Sequence, residues 1–365
     1  MILQCSRGGR NEGCRPPFPA HLAHFAAQAG TRRVTHSALE PAAASGCLCN
    51  AGRVRSDRVA ISGRTWVVTG ASSGIGRGVA ERAGSMGANV VLAARRIEAL
   101  EDVARVIRAN GGEALVVPTD VSRPEAVEAL ASAAELRFGR VDVWLNNAGV
   151  ASIGRFDEIP VADHTRVIDV NLNGVLYGSH AALRRFRAQG SGTLVNMASV
   201  EGRVPLAYHA SYAATKHAII GLDGALRQEM RLSGLDCIRI ITILPWAVDT
   251  PFWANAAARM GREPRGPWMD GAREVADAIV WAAVNAPAGE FPVGPKASAA
   301  VLGSRLAPGL TIRIAGSVIH QVQMENAPPA PDRPGNLFVP SPAPPTVEGG
   351  FRSRRPRPGP VLSPP

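Results

Sequence analysis

The segment TWVVTGASSGIGRGVA, residues 65–80, constrains the fold of this chain more than any other. A β-rich apolar run leads into Gly70, Gly74 and Gly76, and a pattern compatible with a helix follows directly. Glycine lets a backbone turn tightly and approach a ligand or a neighbouring element closely. At a helix start, free N–H groups and the helix dipole face an anionic group. The segment therefore predicts a strand, a glycine turn and a helix that together bind a phosphate group.

A tyrosine and a lysine lie one helical turn apart in the segment ASYAATKHAII. The chain has only 3 tyrosines, and its only lysines are Lys216 and Lys296, so the pair Tyr212 and Lys216 is not a product of abundance. Side chains four residues apart share one face of a helix. A nearby ammonium lowers the pKa of a phenol, which suits the pair to proton transfer, and the hydroxyl of Ser199 could hold a substrate oxygen. The alternative is an ordinary buried tyrosine beside a surface lysine.

These segments occur together with others in a recognisable order. They are TGASSGIG (69–76), DV (120–121), NNAG (146–149), VNLNG (170–174), VNMASVEG around Ser199, YAATK (212–216) and PWAVDTPF (245–252). Over residues 63–295 the chain resembles the single-domain branch of the short-chain dehydrogenase/reductase superfamily. The resemblance implies an oxidoreductase that interconverts a ketone or aldehyde and an alcohol by hydride transfer. An alternative is a catalytically silent, NADP-binding regulatory protein.

The resemblance implies four catalytic residues. Tyr212 would be the general acid/base, Lys216 would bind the nicotinamide ribose and lower the tyrosine pKa, and Ser199 would orient the substrate oxygen. Asn171 would hold a water molecule that connects Lys216 to a proton relay. Local alternatives remain, because Asn171 could cap a helix and Asp120 could be a turn carboxylate.

The implied cofactor is NADP(H) rather than NAD(H). Ala94 stands where the NAD-dependent members carry aspartate, and Arg95 and Arg96 follow it. A guanidinium group suits the 2′-phosphate of NADP, although the two arginines could instead begin a solvated helix. The implied cofactor-binding residues are Gly70, Ser72, Ser73, Gly74, Ile75, Gly76, Arg95, Arg96, Asp120, Val121, Asn147, Ala148, Gly149, Tyr212, Lys216, Val248 and Thr250.

The sequence departs from the family where Pro-Gly usually follows the sixth strand. Trp246 replaces that glycine and could narrow the site, pack on the nicotinamide, or reflect a backbone that does not need a positive φ. The segment after it is rich in large apolar side chains, namely Phe252, Trp253, Met260, Trp268 and Met269. These side chains either bind an apolar carbonyl substrate or pack a helical lid.

Alternating strand and helix patterns predict an α/β, Rossmann-like doubly wound sheet of seven parallel strands with helices on both faces. The predicted strands are 64–69, 89–94, 113–118, 141–145, 192–198, 236–243 and 290–293. The predicted helices are 74–86, 97–110, 123–138, 161–188, 211–232 and 273–286. The strand order that the resemblance implies is 3-2-1-4-5-6-7. Ligands of such sheets bind at the carboxyl ends of the strands.

Composition divides the chain into a catalytic domain, residues 63–297, and three flanking segments. Residues 1–62 form a low-complexity extension and residues 327–365 a proline-rich tail, both expected to be disordered. Residues 63–326 carry 27 basic and 25 acidic side chains, a balance of +2. The outer segments therefore supply the other +8 of the net charge of +10, and the domain lacks the clustered charge of a nucleic-acid-binding protein.

Residues 298–326 are predicted to be an amphipathic helical segment. Its apolar stripe comprises Leu306, Leu310, Ile314 and Val318, which recur every four residues. The stripe could pack on the domain, mediate self-association or contact a membrane surface, but its length and charge exclude a membrane span. Pro308 limits how far one helix can extend.

Two further expectations concern metals and cellular context. Four cysteines lie near the start, Cys5, Cys14, Cys47 and Cys49, at spacings that match no zinc framework, so no metal site is expected. The first residues lack the apolar run of a secretory signal, which favours a cytoplasmic location. The resemblance also implies a homodimer or homotetramer.

Overall fold

The computed structural model describes residues 61–343 and 345–352. Almost all of the N-terminal segment 1–62, including its four cysteines, therefore lies outside the described residues, as does the end of the proline-rich tail. The expectations for those parts of the chain remain predictions.

Within the described residues, seven parallel strands form the main sheet in the order β3-β2-β1-β4-β6-β7-β11. The strands in chain order are β1 (Thr65–Thr69), β2 (Asn89–Ala94), β3 (Glu113–Pro118), β4 (Val143–Asn146), β5 (Ser152–Gly154), β6 (Gly192–Met197), β7 (Ile238–Pro245), β8 (Val248–Asp249), β9 (Ala257–Arg259), β10 (Asp270–Gly271) and β11 (Gly289–Val293). Two short parallel pairs, β5 with β9 and β8 with β10, lie outside it. The predicted fold class and strand order are confirmed.

The helices cover both faces of this sheet. They are α1 (Gly74–Ser85), α2 (Ile97–Ala109), α3 (Pro124–Phe138), α4 (Val161–Ile168), α5 (Gly174–Gln189), α6 (Ala210–Leu232), α7 (Phe252–Asn255), α8 (Ala272–Asn285), α9 (Gly294–Leu306) and α10 (Pro308–His320). Helices α1, α2 and α8 pack on one face, and α3, α5 and α6 pack on the other. Each face holds fully buried side chains such as Trp66 and Trp144. Burying a large apolar side chain contributes about 1.5–3 kcal/mol.

The helix predicted over 161–188 is interrupted. A π-helical turn, Asp169–Asn173, separates α4 from α5 and contains Asn171. Such turns are rare and are frequent at functional sites. Here the turn places the Asn171 side chain in the interior, where it is fully buried.

The segment 298–326 forms two helices, because Pro308 begins α10 directly after α9 ends. These helices pack on the body through Ala297, Val301 and Ile319, which are buried. Most of the predicted stripe does not pack there: Leu306 is 76 % exposed and Leu310 is 60 % exposed. No helix in the described part of the chain is both long and apolar enough to cross a membrane.

The proline-rich tail differs from the expectation of disorder over its described part. Residues 327–343 and 345–352 run along the body and are hydrogen-bonded to it at several points. The side chains of Leu337 and Val347 are buried in the cores on opposite faces of the sheet. Amino-acid composition does not reveal these contacts, because most of the hydrogen bonds use backbone groups, which every residue type provides.

Candidate active site

A cavity of about 630 Å³ lies at the carboxyl ends of the strands of the main sheet. Residues that follow those strands line it, including Gly70, Arg95, Asp120, Asn147, Ser199 and Trp246. Every predicted site residue lines this cavity except Gly76 and Asn171. The fold therefore brings together residues that are spread over almost 180 positions of the sequence.

The glycine turn after β1 forms one wall of the cavity. Gly70 has a φ of +68°, and a Cβ atom there would lie 2.8 Å from the Cα of Ala148. A Cβ atom on Gly76 would lie 2.4 Å from the carbonyl oxygen of Gly70. Any side chain at either position would close the gap between the turn and the neighbouring loop. The N-terminus of α1 is thus left facing the cavity, which fits the phosphates of a dinucleotide.

Tyr212 and Ser199 meet at the other end of the cavity. The Ser199 hydroxyl hydrogen-bonds the Tyr212 phenol and also accepts a bond of 3.1 Å from the backbone N–H of Glu201. Burial and the negative charge of Glu201 together raise the pKa of Tyr212, and the Ser199 bond offsets only part of that rise. The phenol therefore holds its proton at neutral pH.

Lys216 lies beside the ring of Tyr212, and its lowering of the Tyr212 pKa stays a prediction. Its Nζ lies 5.3 Å from the centre of the Tyr212 ring and donates a hydrogen bond of 2.6 Å to the carbonyl of Met197. Burial lowers the pKa of Lys216 to about 8, although the Glu201 carboxylate favours the charged form. Lys216 is only 4 % exposed and lines the cavity.

Asn171 lies behind the cavity rather than in its wall. Its side-chain amide N–H donates a hydrogen bond of 2.9 Å to the carbonyl of Val150, and its side-chain oxygen accepts one of 2.8 Å from the Val150 N–H. A longer contact of 3.5 Å reaches the hydroxyl of Thr215 on the helix that carries Tyr212. Asn171 thus joins the π-helical turn, the chain after β4 and helix α6.

At the opposite end, Asp120 lies in a bonded cluster that the sequence did not reveal. Its carboxylate accepts bonds from Arg166 at 2.8 Å and from the Ser122 hydroxyl at 2.8 Å. Although burial opposes ionisation, these bonds hold the pKa of Asp120 below its ordinary value. The backbone N–H of Ser122 also donates to the Asp120 carboxylate. Asp120 is therefore also a turn carboxylate, which the sequence offered as the alternative. Arg166 follows no motif, and its place could not be read from the sequence.

Arg95 and Arg96 line the same end but are not free. Their guanidinium groups donate to backbone carbonyls of the C-terminal segment 336–343. The solvated helix start that the sequence offers as an alternative does not describe this arrangement, and the contact with a 2′-phosphate stays a prediction. No pattern of residue types indicates these partners.

The substrate end of the cavity is apolar. Its lining includes Trp246, Val204, Phe252, Trp253, Ile314, Val318 and Ile319. The indole N–H of Trp246 donates a hydrogen bond of 2.8 Å to the carbonyl of Pro267, and this bond holds the ring in the cavity wall. Met260 and Met269 pack beside Trp253 instead of lining the cavity. Helix α10 closes this end as a helical lid.

A buried cluster of Glu201, His209 and Gln323 joins that lid to the catalytic loop. The Nδ1 of His209 lies 3.0 and 3.1 Å from the two carboxylate oxygens of Glu201. Its Nε2 lies within 3.3 Å of the Gln323 side chain. The Gln323 amide N–H also donates a hydrogen bond of 2.9 Å to the carbonyl of Arg265. Burial lowers the pKa of His209, but Glu201 and Gln323 outweigh it and raise that pKa above its ordinary value.

Sequence reasoning missed this cluster. Glu201 and His209 lie between Ser199 and Tyr212 in the chain, whereas Gln323 lies 114 residues from His209. In the described part of the chain, no group of three or more histidine, cysteine, aspartate or glutamate side chains could hold a metal ion.

Comparison with known proteins agrees with this geometry. The family model of short chain dehydrogenases matches residues 64–261. A 3beta-hydroxysteroid dehydrogenase 1 from Eggerthella lenta is 38 % identical over 232 residues, which cover 61 % of this chain and 87 % of that protein.

Two solved structures are also similar. A short chain dehydrogenase/reductase from Burkholderia phymatum, in complex with NAD, has a TM-score of 0.61 and 29 % identity and covers 70 % of this chain and 96 % of its own. A metagenomic short-chain oxidoreductase in complex with NADP has a TM-score of 0.55 and 32 % identity, with coverages of 65 % and 98 %. With its parallel sheet, glycine turn and serine–tyrosine–lysine site, this chain belongs to the short chain dehydrogenase family of oxidoreductases.

Proposed function

We propose that this protein is an NADP(H)-dependent oxidoreductase that interconverts an apolar ketone or aldehyde with the corresponding alcohol. The observation that carries the proposal is one continuous cavity. The glycine turn and two arginines line one end of it, and Ser199, Tyr212 and Lys216 line the other. A dinucleotide and an apolar substrate would fit end to end along it.

The chain's own residues suit a nicotinamide dinucleotide. The N-terminus of α1 and the glycine turn would face the pyrophosphate, Asp120 and Val121 the adenine, and Lys216 the nicotinamide ribose. Val248 and Thr250 line the cavity beside this end and would contact the carboxamide. When bound, the nicotinamide supplies or accepts the hydride.

NADP(H) is favoured because Arg95 and Arg96 follow β2 and no carboxylate occupies position 94. Arginine is the partner that a 2′-phosphate requires, whereas a carboxylate at this point would bind a free ribose hydroxyl. The relatives with known complexes include both an NADP-bound and an NAD-bound protein. Cofactor choice in this chain therefore depends on these two side chains.

Tyr212 would give its proton to the carbonyl oxygen in the reductive direction. Its raised pKa supports this role, because the phenol stays protonated until a developing alkoxide accepts the proton. Ser199 would hold the substrate oxygen within reach of the phenol. Lys216 would stabilise the charge that Tyr212 carries after transfer, and Asn171 would position the elements around it.

The apolar wall favours a bulky substrate over a small sugar. Aromatic side chains and the lid residues Ile314 and Val318 supply most of this end. The similarity to a 3beta-hydroxysteroid dehydrogenase makes a steroid-sized secondary alcohol a candidate. Trp246 forms part of the wall and leaves the cavity open, which argues against a silent regulatory protein.

A substrate screen tests this proposal. Purified protein would be mixed with NADPH or NADH and a panel of steroids, quinones, acyl thioesters and aliphatic ketones, and nucleotide oxidation would be followed by absorbance. We expect turnover of a bulky apolar carbonyl compound with a preference for NADPH. Tight nucleotide binding without turnover of any compound would instead favour the regulatory alternative.

The variant Tyr212→Phe tests the proton donor directly. Its turnover should fall by about 10²–10⁴-fold, because general acid catalysis contributes that much. Binding of NADPH, measured by fluorescence, should stay within a factor of two or so. Tyr177→Phe is the matched control, since Tyr177 does not line the cavity. A fully active Tyr212→Phe protein would contradict the assigned role.

A further inference from the structure

The two guanidinium groups assigned to the 2′-phosphate already have partners in the C-terminal strap, defined here as residues 336–343. Arg95 donates to the carbonyls of Asn336 at 2.6 Å, Leu337 at 3.2 Å and Phe338 at 3.1 Å. Arg96 donates to the carbonyls of Ser341 at 3.0 Å and Ala343 at 2.8 Å. The strap therefore accepts bonds from three of the five N–H donors of Arg95 and from two of the five of Arg96.

The strap is anchored before it crosses the cleft. Arg333 and Ala258 exchange two backbone bonds of 3.0 Å each, and the Arg333 side chain donates to the carbonyls of Trp253 and Ala256. The Leu337 side chain is fully buried. This end of the strap is thus fixed to the body.

It is anchored again after the cleft. The Glu348 carboxylate accepts bonds of 3.1 Å from the N–H groups of Ala272 and Arg273 at the start of α8. Asp249 accepts from the N–H groups of Phe351 and Arg352 at 2.9 and 2.8 Å. Held at both ends, the strap lies across the adenosine end of the cavity and contributes Asn336, Pro340 and Ser341 to its lining.

The chain after the strap also reaches the phosphate-binding turn. The carbonyl of Thr346 accepts a bond of 2.8 Å from the N–H of Gly74, the first residue of α1. The carbonyl of Pro345 accepts a hydrogen bond of 2.8 Å from the Arg77 side chain. The same segment thus contacts the arginines after β2 and the helix start that faces the pyrophosphate.

The strap offers only neutral acceptors to two cations. Arg95 lies near Asp120, but the hydrogen bonds that the two guanidinium groups donate go to backbone carbonyls and to the Ser72 hydroxyl. A phosphate adds the attraction of opposite charges to the hydrogen bonds that arginine donates, which a neutral carbonyl does not. A 2′-phosphate would therefore displace the strap carbonyls, whereas a 2′-hydroxyl would not.

We infer that the strap is a determinant of cofactor choice, because its carbonyls compete with the 2′-phosphate of NADP(H) for Arg95 and Arg96. The inference rests on the proposed function. NADP(H) must release the strap from both arginines before its phosphate binds, and NAD(H) leaves the strap in place. The strap therefore reduces the preference for NADP(H) that the arginines alone would give.

Hydrogen–deuterium exchange of the full-length protein tests this without any substitution. Backbone amides in peptides covering 336–343 would be compared for the free protein and for protein saturated with NADPH or with NADH. NADPH should increase exchange in these peptides, and NADH should leave it unchanged. Unchanged exchange or protection with NADPH would overturn the inference.

Nucleotide affinities give a second readout. The full-length variant Leu337→Ala/Glu348→Ala loosens both anchors and leaves Arg95 and Arg96 intact. Val339→Ala is the matched control, since Val339 lies in the strap and is 71 % exposed. Affinities for NADPH, NADH, adenosine 2′,5′-bisphosphate and 5′-AMP would be measured by fluorescence or calorimetry, and folding would be checked by circular dichroism.

We expect the loosened variant to bind NADPH and adenosine 2′,5′-bisphosphate about tenfold more tightly. The reason is that the strap carbonyls would no longer compete with the 2′-phosphate for Arg95 and Arg96. The affinities of the loosened variant for NADH and 5′-AMP should change by less than about twofold. Equal tightening of all four ligands would mean that the strap only obstructs entry. Weaker NADPH binding would mean that the strap adds contacts to the cofactor, and either result would overturn the inference. A protein that binds none of these nucleotides would refute the proposed function itself.

Discussion

At the scale of single residues, burial and the charge of Glu201 together set the pKa values of Tyr212 and Lys216. The Glu201 charge disfavours ionisation of Tyr212 and favours the ammonium form of Lys216. Burial acts on both groups in the direction that removes charge, so the tyrosine is protonated and the lysine has a pKa of about 8. The site is therefore prepared to donate a proton from the phenol rather than to hold a phenolate.

The pH dependence of reduction should report Lys216. The ammonium is present below its pKa and is lost as the pH rises, so we expect kcat/KM to fall as the pH passes about 8. In Glu201→Gln this descending limb should move to lower pH, because the charge that favours the ammonium is gone. Steady-state rates between pH 6 and 10 or so would measure it. Glu201→Asp keeps the charge and is the control. Coincident profiles for the wild type and Glu201→Gln would contradict this account.

At the scale of elements, short π-helical interruptions orient two buried side chains around the candidate site. The π-helical turn Asp169–Asn173 directs Asn171 inward, and a second such turn, Gln321–Glu325, directs Gln323 towards His209. A regular helix would carry these side chains round to another face. The lid is therefore tied to the catalytic loop at a defined point.

Gln323→Ala should loosen the lid. Loss of the bonds to His209 and to the carbonyl of Arg265 should destabilise the protein by about 1–3 kcal/mol, since a buried partner is left unsatisfied. We expect KM for an apolar carbonyl substrate to rise by about three- to tenfold while kcat changes little, because the lid contributes binding rather than chemistry. Gln321→Ala, at an exposed position of the same turn, is the control. A proportional loss of kcat with unchanged KM would show that the cluster acts on the chemical step.

At the scale of the whole molecule, helices α9 and α10 present an apolar face that the body leaves uncovered. Leu302, Leu306 and Leu310 are 56, 76 and 60 % exposed. Large exposed apolar side chains grouped on two adjoining helices are typical of an association site. Because most of the stripe does not pack on the body, self-association and membrane contact remain as its possible roles, and we favour self-association.

The double variant Leu306→Ser/Leu310→Ser tests that role. We expect the wild-type protein to sediment as a dimer or tetramer and the variant to shift towards monomer, with its dissociation constant raised at least about tenfold. Leu136→Ser, which alters a leucine that is 90 % exposed on α3, should leave sedimentation unchanged. An unaltered sedimentation coefficient in the double variant would eliminate this face as the interface, and vesicle binding would then be measured.

The order of residues along the chain is enough to specify the sheet and the positions of the chemistry. Apolar runs separated by helical periods specify a parallel α/β sheet, and side chains just after the strands must converge at its carboxyl edge. That is why Ser199, Tyr212 and the glycine turn can be assigned together from the sequence. Each of them belongs to a short motif, and a short motif can be recognised in a sequence.

The surroundings of those residues depend instead on how the folded chain packs. The strap binds Arg95 and Arg96 through backbone carbonyls, which leave no trace in residue type, and Gln323 meets His209 across 114 positions of the chain. The same holds for the raised pKa of Tyr212, since burial and the Glu201 charge arise from packing. Contacts between distant segments follow from the tertiary arrangement of the whole chain, and no short segment encodes them.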